Sequence, residues 1–223
     1  MSKMDDINSF FLQFMNQNSP IEMQLQELNI NSNYYEIESL QNEKDANTNF
    51  KYIALHINIH SLSDKLPKLK NILQRLSDAK LKVDFILLCE TFLNDHNVSV
   101  CKLPGYELVP ESRKVRSKGG VALYISDKFT YKQRYDISPT YEGEFETVFA
   151  EIKDRDKTII VGEIYRVPNT KEVESVNRFE HALENIYNLK PNHYIIGTDQ
   201  NFDYMKINSH TNTTNYNKTH KNC

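Results

Sequence analysis

Apolar residues recur along this chain in two different periods. Leu66, Leu69, Ile72, Leu73 and Leu76 are three or four positions apart, which places them on one face of a helix. The segment Ser63-Asp-Lys-Leu-Pro67 predicts its start, with a capping residue and a proline in the first turn, where a missing N–H does no harm. Val173, Val176, Phe179, Leu183 and Ile186 repeat the spacing in a second helix that ends before Pro191. Other apolar runs are continuous or alternating. VDFILLCE (83–90) has the composition of a strand covered on both faces. Residues 105–110, 119–126, 129–135, 147–153, 158–165 and 193–197 also read as strands. KYIALHIN (51–58) reads as a strand, although periodicity alone leaves a helix open there.

The resulting order is β-α-β, a series of strands suited to antiparallel pairing, then α-β. A doubly wound parallel sheet would alternate strictly, so the expectation is an α/β protein with sheet layers packed on each other and covered by helices. Residues 1–49 are rich in Asn, Gln and acids and are expected to be a loosely ordered extension. The folded domain is expected over 50–209, and the Asn/Thr-rich stretch 210–223 as a disordered tail.

Composition adds a charge asymmetry. The net charge of −3 conceals a net of −6 in residues 1–50 and +3 in the remainder. That excess includes the run Arg113-Lys-Val-Arg-Ser-Lys118, in which Arg113, Lys114, Arg116 and Lys118 could meet phosphates. A solvated turn between strands explains the run equally well. Cys89, Cys101 and Cys223 are too few and too scattered for a disulfide frame or a Cys-based zinc site, so a reducing, intracellular setting is expected. No stretch reaches the roughly 18–20 apolar residues of a membrane span, and the N-terminus lacks the pattern of a signal peptide.

Polar residues stand at four strand ends: Asn58, Glu90, Tyr165, and the pair Asp199 and Asn201. Individually each has an ordinary explanation, as a turn former, a cap or a half-buried phenol. As a set they comprise two carboxylates, two amides and a phenol. That chemistry suits an oxygen-ligated Mg2+ and the charge developing on a phosphorane.

Five motifs carry a family resemblance: LHINIHSLSDKL (55–66), DFILLCETFL (84–93), GYELVPESRKVRSKGGVALYIS (105–126), EIYRVPNT (163–170) and IIGTDQNFDYMK (195–206). Over about 160 residues the chain resembles the endonuclease/exonuclease/phosphatase superfamily. More narrowly, it is similar to the apurinic-endonuclease-like domain of jockey-type non-LTR retrotransposon proteins. The resemblance implies a deoxyribonuclease-I-like four-layer α/β sandwich, two packed mixed sheets flanked by helices, with the second half incomplete. It also implies Mg2+ (or Mn2+) as cofactor and DNA as partner, with a nuclear setting for a functional copy and no obligate protein partner. Glu90 would be the main metal ligand, with Asn58 assisting at metal and phosphate. Tyr165 would bond the scissile phosphate or the nucleophile. Asp199 would activate water, and Asn201 would stabilise the transition state. Arg113, Lys114, Arg116 and Lys118 would contact the nucleic-acid backbone.

The sequence departs from that pattern in two places. Thr198, with Gly197 one position earlier, stands where the family has Gly directly before Asp. The family's Ser-Asp-His motif has no counterpart, because His210 and His220 do not follow an Asp. The expectation is therefore a C-terminally truncated domain whose inherited reaction is Mg2+-dependent nicking of DNA and whose activity is crippled. The alternatives are a non-catalytic nucleic-acid-binding fragment and a phosphatase of the same superfamily.

Overall fold

The computed structural model describes residues 51–111, 113 and 118–201, together with Ile37 and Leu40. The expected extension (apart from Ile37 and Leu40), Lys114, Arg116 and the expected tail lie outside the described residues. The described elements belong to a compact unit, Tyr35–Asn201. Four strands make the first sheet: β1 (Ala54–Asn58), β2 (Phe85–Cys89), β3 (Tyr106–Glu111) and β4 (Val121–Ser126), in the order β1-β2-β4-β3. The second contains β5 (Thr130–Gln133), β6 (Phe145–Asp154), β7 (Lys157–Arg166) and β8 (His193–Asp199), in sequence order. The pairs β1–β2 and β7–β8 are parallel and the remainder antiparallel. Each parallel pair is joined through a helix, α1 (Leu62–Asp78) or α2 (Glu172–Asn188), as a crossover between parallel strands requires.

The alternation of side chains along β2 shows why its run is continuously apolar. Phe85, Leu87 and Cys89 point into a cluster with Val121, Leu123 and Ile125 of β4, Val148, Ala150 and Ile152 of β6, and Ile159 and Val161 of β7. This is the inter-sheet core. Ile86 and Leu88 point the other way, into a second cluster with Leu62, Leu66, Leu69 and Leu76 of α1. Both faces of β2 are thus buried. Ile37 and Leu40 are helical and pack on this second cluster, so part of the segment expected to be loose contributes to the core.

Two helix details differ from the sequence expectation. α1 begins at Leu62, with Ser61 at its cap, so Pro67 lies inside the helix and not in its first turn. The early start follows from backbone bonds that tie the β1–α1 connection to the end of β2. The N–H groups of Ile59, Ser61 and Leu62 donate to the carbonyls of Cys89, Glu90 and Thr91. In α2, Val173 is 61% exposed, whereas Ser175, Phe179, Ala182 and Ile186 form the buried stripe. Small Ser and Ala positions carry no apolar signal, and that displaced the face expected from the larger residues.

Phe149 lies opposite Gly162 on the neighbouring strand. A Cβ at position 162 would sit 1.9 Å from the Phe149 ring. Gly162→Ala is therefore expected to destabilise the chain by about 1–3 kcal/mol through overpacking. Urea unfolding checks this, and an unchanged midpoint would contradict it. No helix among the described residues is long and apolar enough to cross a membrane.

Candidate active site

The two parallel pairs deliver their carboxyl-terminal ends to a common corner, the position where open α/β sheets usually place ligands. β1 ends at Asn58 and β2 at Cys89, directly opposite in register. β7 and β8 bring Tyr165 opposite Asp199. Across the two sheets, one amide joins the ends, because Asn58 Nδ2 donates to Glu90 Oε1 at 3.1 Å and to Asp199 Oδ2 at 3.0 Å. Tyr165 Oη donates to the same Glu90 Oε1 at 3.0 Å. Four of the five strand-end residues singled out from sequence therefore form one hydrogen-bonded group.

Glu90 follows the last residue of β2 and has φ +51°, in the left-handed region that a side-chain-bearing residue occupies at a cost. His60 Nδ1 lies 2.8 Å from Glu90 Oε2, so both carboxylate oxygens are engaged. Burial pushes the Glu90 carboxyl up, but hydrogen bonds from His60, Asn58 and Tyr165 outweigh it and hold the group below its ordinary value. Tyr165 is 3% exposed. Burial, followed by the bond to Glu90, pushes its phenol well above the ordinary value, so it remains a neutral donor. Two carboxylates sharing one amide donor form a site whose like charges a cation would relieve. The donors are hard oxygens, the chemistry that a divalent cation takes.

Asn201 is placed differently. Its Nδ2 donates to the Arg166 carbonyl at 2.8 Å, and its own carbonyl accepts from Arg166 Nη1 at 2.7 Å. Arg166, 3% exposed, also donates to the carbonyls of Gln200 and Thr170. Asn201 and Arg166 thus fasten the end of β8 to the end of β7, and the Asn201 side-chain amide is engaged there and not with the Glu90–Asp199 group.

Arg113 is also committed to a structural contact. Its Nε donates to Glu146 Oε1, and its side chain is 8% exposed. Glu146, 1% exposed, additionally accepts from the backbone N–H groups of Gly120 and Gly143. Glu146 lies opposite Tyr165 on the adjacent strand, so this pair underlies the site. Gly119 makes room for it, because a Cβ there would sit 1.9 Å from the guanidinium carbon. Lys118 is exposed.

Several residues of the site were not singled out from sequence. Glu163 follows Gly162 in the middle of the apolar run of β7, and a wholly buried acid on an inward-facing position is itself a signal. Its Oε1 lies 3.0 Å from His56 Nε2. Burial pushes the Glu163 carboxyl up, and its hydrogen bond lifts the His56 imidazole. Cys89 Sγ lies 3.7 Å from Asp199 Oδ2.

No family model and no curated protein matches the chain. Solved structures do resemble it. The endonuclease domain of TRAS1, a telomere-specific non-LTR retrotransposon, is 16% identical over 69% of this chain and 61% of that one, with a TM-score of 0.47. D. rerio TDP2 complexed with a single-strand DNA product is 13% identical over 67% of this chain and 60% of that one, with a TM-score of 0.50. An endonuclease/exonuclease/phosphatase family protein from Bacteroides thetaiotaomicron is 18% identical over 69% and 64%, with a TM-score of 0.49. The chain spans less than two thirds of each of these three structures. Two packed mixed sheets with crossover helices, together with the likeness to the TDP2 structure, give the chain a deoxyribonuclease-I-like α/β fold.

Proposed function

We propose that this chain carries the metal-binding and water-activating corner of a divalent-metal-dependent phosphodiesterase. Its inherited reaction would be Mg2+-dependent nicking of DNA, of the kind performed by non-LTR retrotransposon endonucleases. The observation that carries this is the Asn58 amide joined to Glu90 and Asp199 at once, with Tyr165 on Glu90. Residues from the ends of four strands and both sheets converge there, joined by polar contacts.

In that role Asp199 accepts the proton of the attacking water, and Asn58 keeps its carboxylate aimed. Tyr165, kept protonated, donates to a phosphoryl oxygen or to the nucleophile. A divalent ion held by Glu90 would neutralise charge developing on the phosphate. The Arg113–Glu146 pair lies beside Tyr165 on the adjacent strand, while Lys114, Arg116 and Lys118 would contact the nucleic-acid backbone. The 223 residues contain no Ser-Asp-His sequence, and both His56 and His60 already engage a carboxylate. Turnover by these residues alone is therefore expected to be far below that of an ordinary nuclease.

The test is conversion of supercoiled plasmid to the nicked form by the purified chain. The expected result is slow nicking that needs Mg2+ or Mn2+, stops with chelator, and vanishes in Glu90→Ala. Nicking that survives chelator and Glu90→Ala alike would refute the assignment. Fast nicking that still depends on Glu90 would refute only the low turnover.

A further inference from the structure

We infer that His56, Cys89 and Glu163 form a second metal site, for a borderline transition-metal ion such as Zn2+, between the two sheets at the edge of their shared core. Each residue takes an inward-facing position on its strand. Cys89 follows Phe85 and Leu87 on β2, and Glu163 lies between Val161 and Tyr165 on β7, all of them among or between residues of the inter-sheet core. One ligand atom from each of the three lies within 4.8 Å of the other two. An imidazole nitrogen, a sulfur and a carboxylate make a donor set that suits Zn2+ and not Mg2+, which sets this group apart from the all-oxygen corner at Glu90.

A second observation points to a ligand independently. Glu163 Oε2 is buried without a hydrogen-bond partner, in a side chain with 0% exposure. Buried carboxylate oxygens are normally satisfied, and leaving one bare is costly. A buried His–Glu pair linking the sheets would account for Oε1 but not for Oε2. The opposite strand keeps the space beside this oxygen clear. Gly197 pairs with Glu163 in register, and a Cβ there would lie 2.3 Å from Oε2 and 2.6 Å from His56 Cδ2. Gly197 thus leaves room for this cluster. Gly197 lies inside β8 and is not among the residues with positive φ. His56 is 39% exposed and gives an ion a way in.

Binding requires neutral His56, ionised Glu163 and a Cys89 thiolate, so the thiol proton and any proton held on the His56–Glu163 pair leave to solvent as the metal–ligand bonds form. Asp199 Oδ2, 3.7 Å from the sulfur, stands at the rim of the cluster. Loading the site should therefore slow hydrolysis at the Glu90 corner. That consequence rests on the proposed hydrolytic function, whereas the site itself does not.

The test is a Co2+ titration of the full chain, read by the thiolate-to-cobalt charge-transfer band. A band that saturates at a single equivalent is expected, displaced by Zn2+ but not by excess Mg2+. It should disappear in Cys89→Ser and persist in Cys223→Ser. Glu163→Gln, which preserves shape, should weaken Co2+ binding by on the order of 100-fold, at least the upper end of what outer-shell losses cost. Circular dichroism identifies any variant that fails to fold, and Glu163→Gln then decides alone. Absence of the band in the wild-type chain, its survival in Cys89→Ser, or unchanged affinity in Glu163→Gln would each overturn the site. None of these readouts depends on catalysis, so failure of the zinc site and failure of the nuclease assignment are distinguishable.

Discussion

Arg113→Ala is expected to destabilise the chain by roughly 3–5 kcal/mol, the cost of removing one partner from a buried ion pair. The side chain is 8% exposed and Glu146 only 1%, so water cannot take over the lost contact. Total stabilities of ordinary domains are about 5–15 kcal/mol, so this single change would remove a large fraction. Glu146 also accepts from Gly120 and Gly143, and its own removal would orphan two backbone donors. The double variant Arg113→Met, Glu146→Leu should consequently remain destabilised, although many buried pairs tolerate apolar replacement. Chemical denaturation separates this role from phosphate contact. A cation serving only DNA would change binding and its salt dependence while leaving the unfolding midpoint in place. An unfolding midpoint unmoved by Arg113→Ala would contradict the structural assignment.

Asp199→Asn is expected to lower metal-dependent nicking by about 10²–10⁴-fold, which for a slow catalyst means the uncatalysed background. The substitution keeps size and shape but removes the proton acceptor. It also turns an amide toward the Asn58 amide nitrogen, which now donates to a carboxylate at 3.0 Å. The neighbouring groups do not obscure the result. Glu90 is held below its ordinary value and the Tyr165 phenol well above its own, so neither changes charge across the neutral pH range. Comparing nicking rates at equal, saturating Mn2+ tests the role of Asp199 in water activation. A rate within a few-fold of wild type would remove Asp199 from that role.

The sheets and helices were largely legible because their periods differ and because β2, buried on both faces, cannot hide its apolar run. What escaped was set by tertiary contacts. The start of α1 depends on backbone bonds to residues 89–91, which no local pattern encodes. The buried stripe of α2 passes through Ser175 and Ala182, residues too small to mark it. At the site, strand ends were informative because polar side chains there interrupt strong apolar runs. Asn58, Glu90, Tyr165 and Asp199 do meet, yet nothing in their spacing showed that one amide would join two carboxylates. Arg113 was legible as a cation but not as a buried one, since its partner Glu146 lies 33 positions away. Glu163 was hidden by its surroundings, as an acid inside TIIVGEIY reads as strand until the opposite sheet supplies His56 and Cys89.

Whether the Asn58–Glu90–Asp199 corner holds a divalent ion is read by Mn2+ binding to the full chain, followed by electron paramagnetic resonance of the free ion. The wild-type chain should bind Mn2+, and Glu90→Gln should weaken that binding by on the order of 100-fold, in line with the loss of a principal ligand. Equal Mn2+ affinity in the wild type and Glu90→Gln, or no binding by the folded wild-type chain, would contradict it.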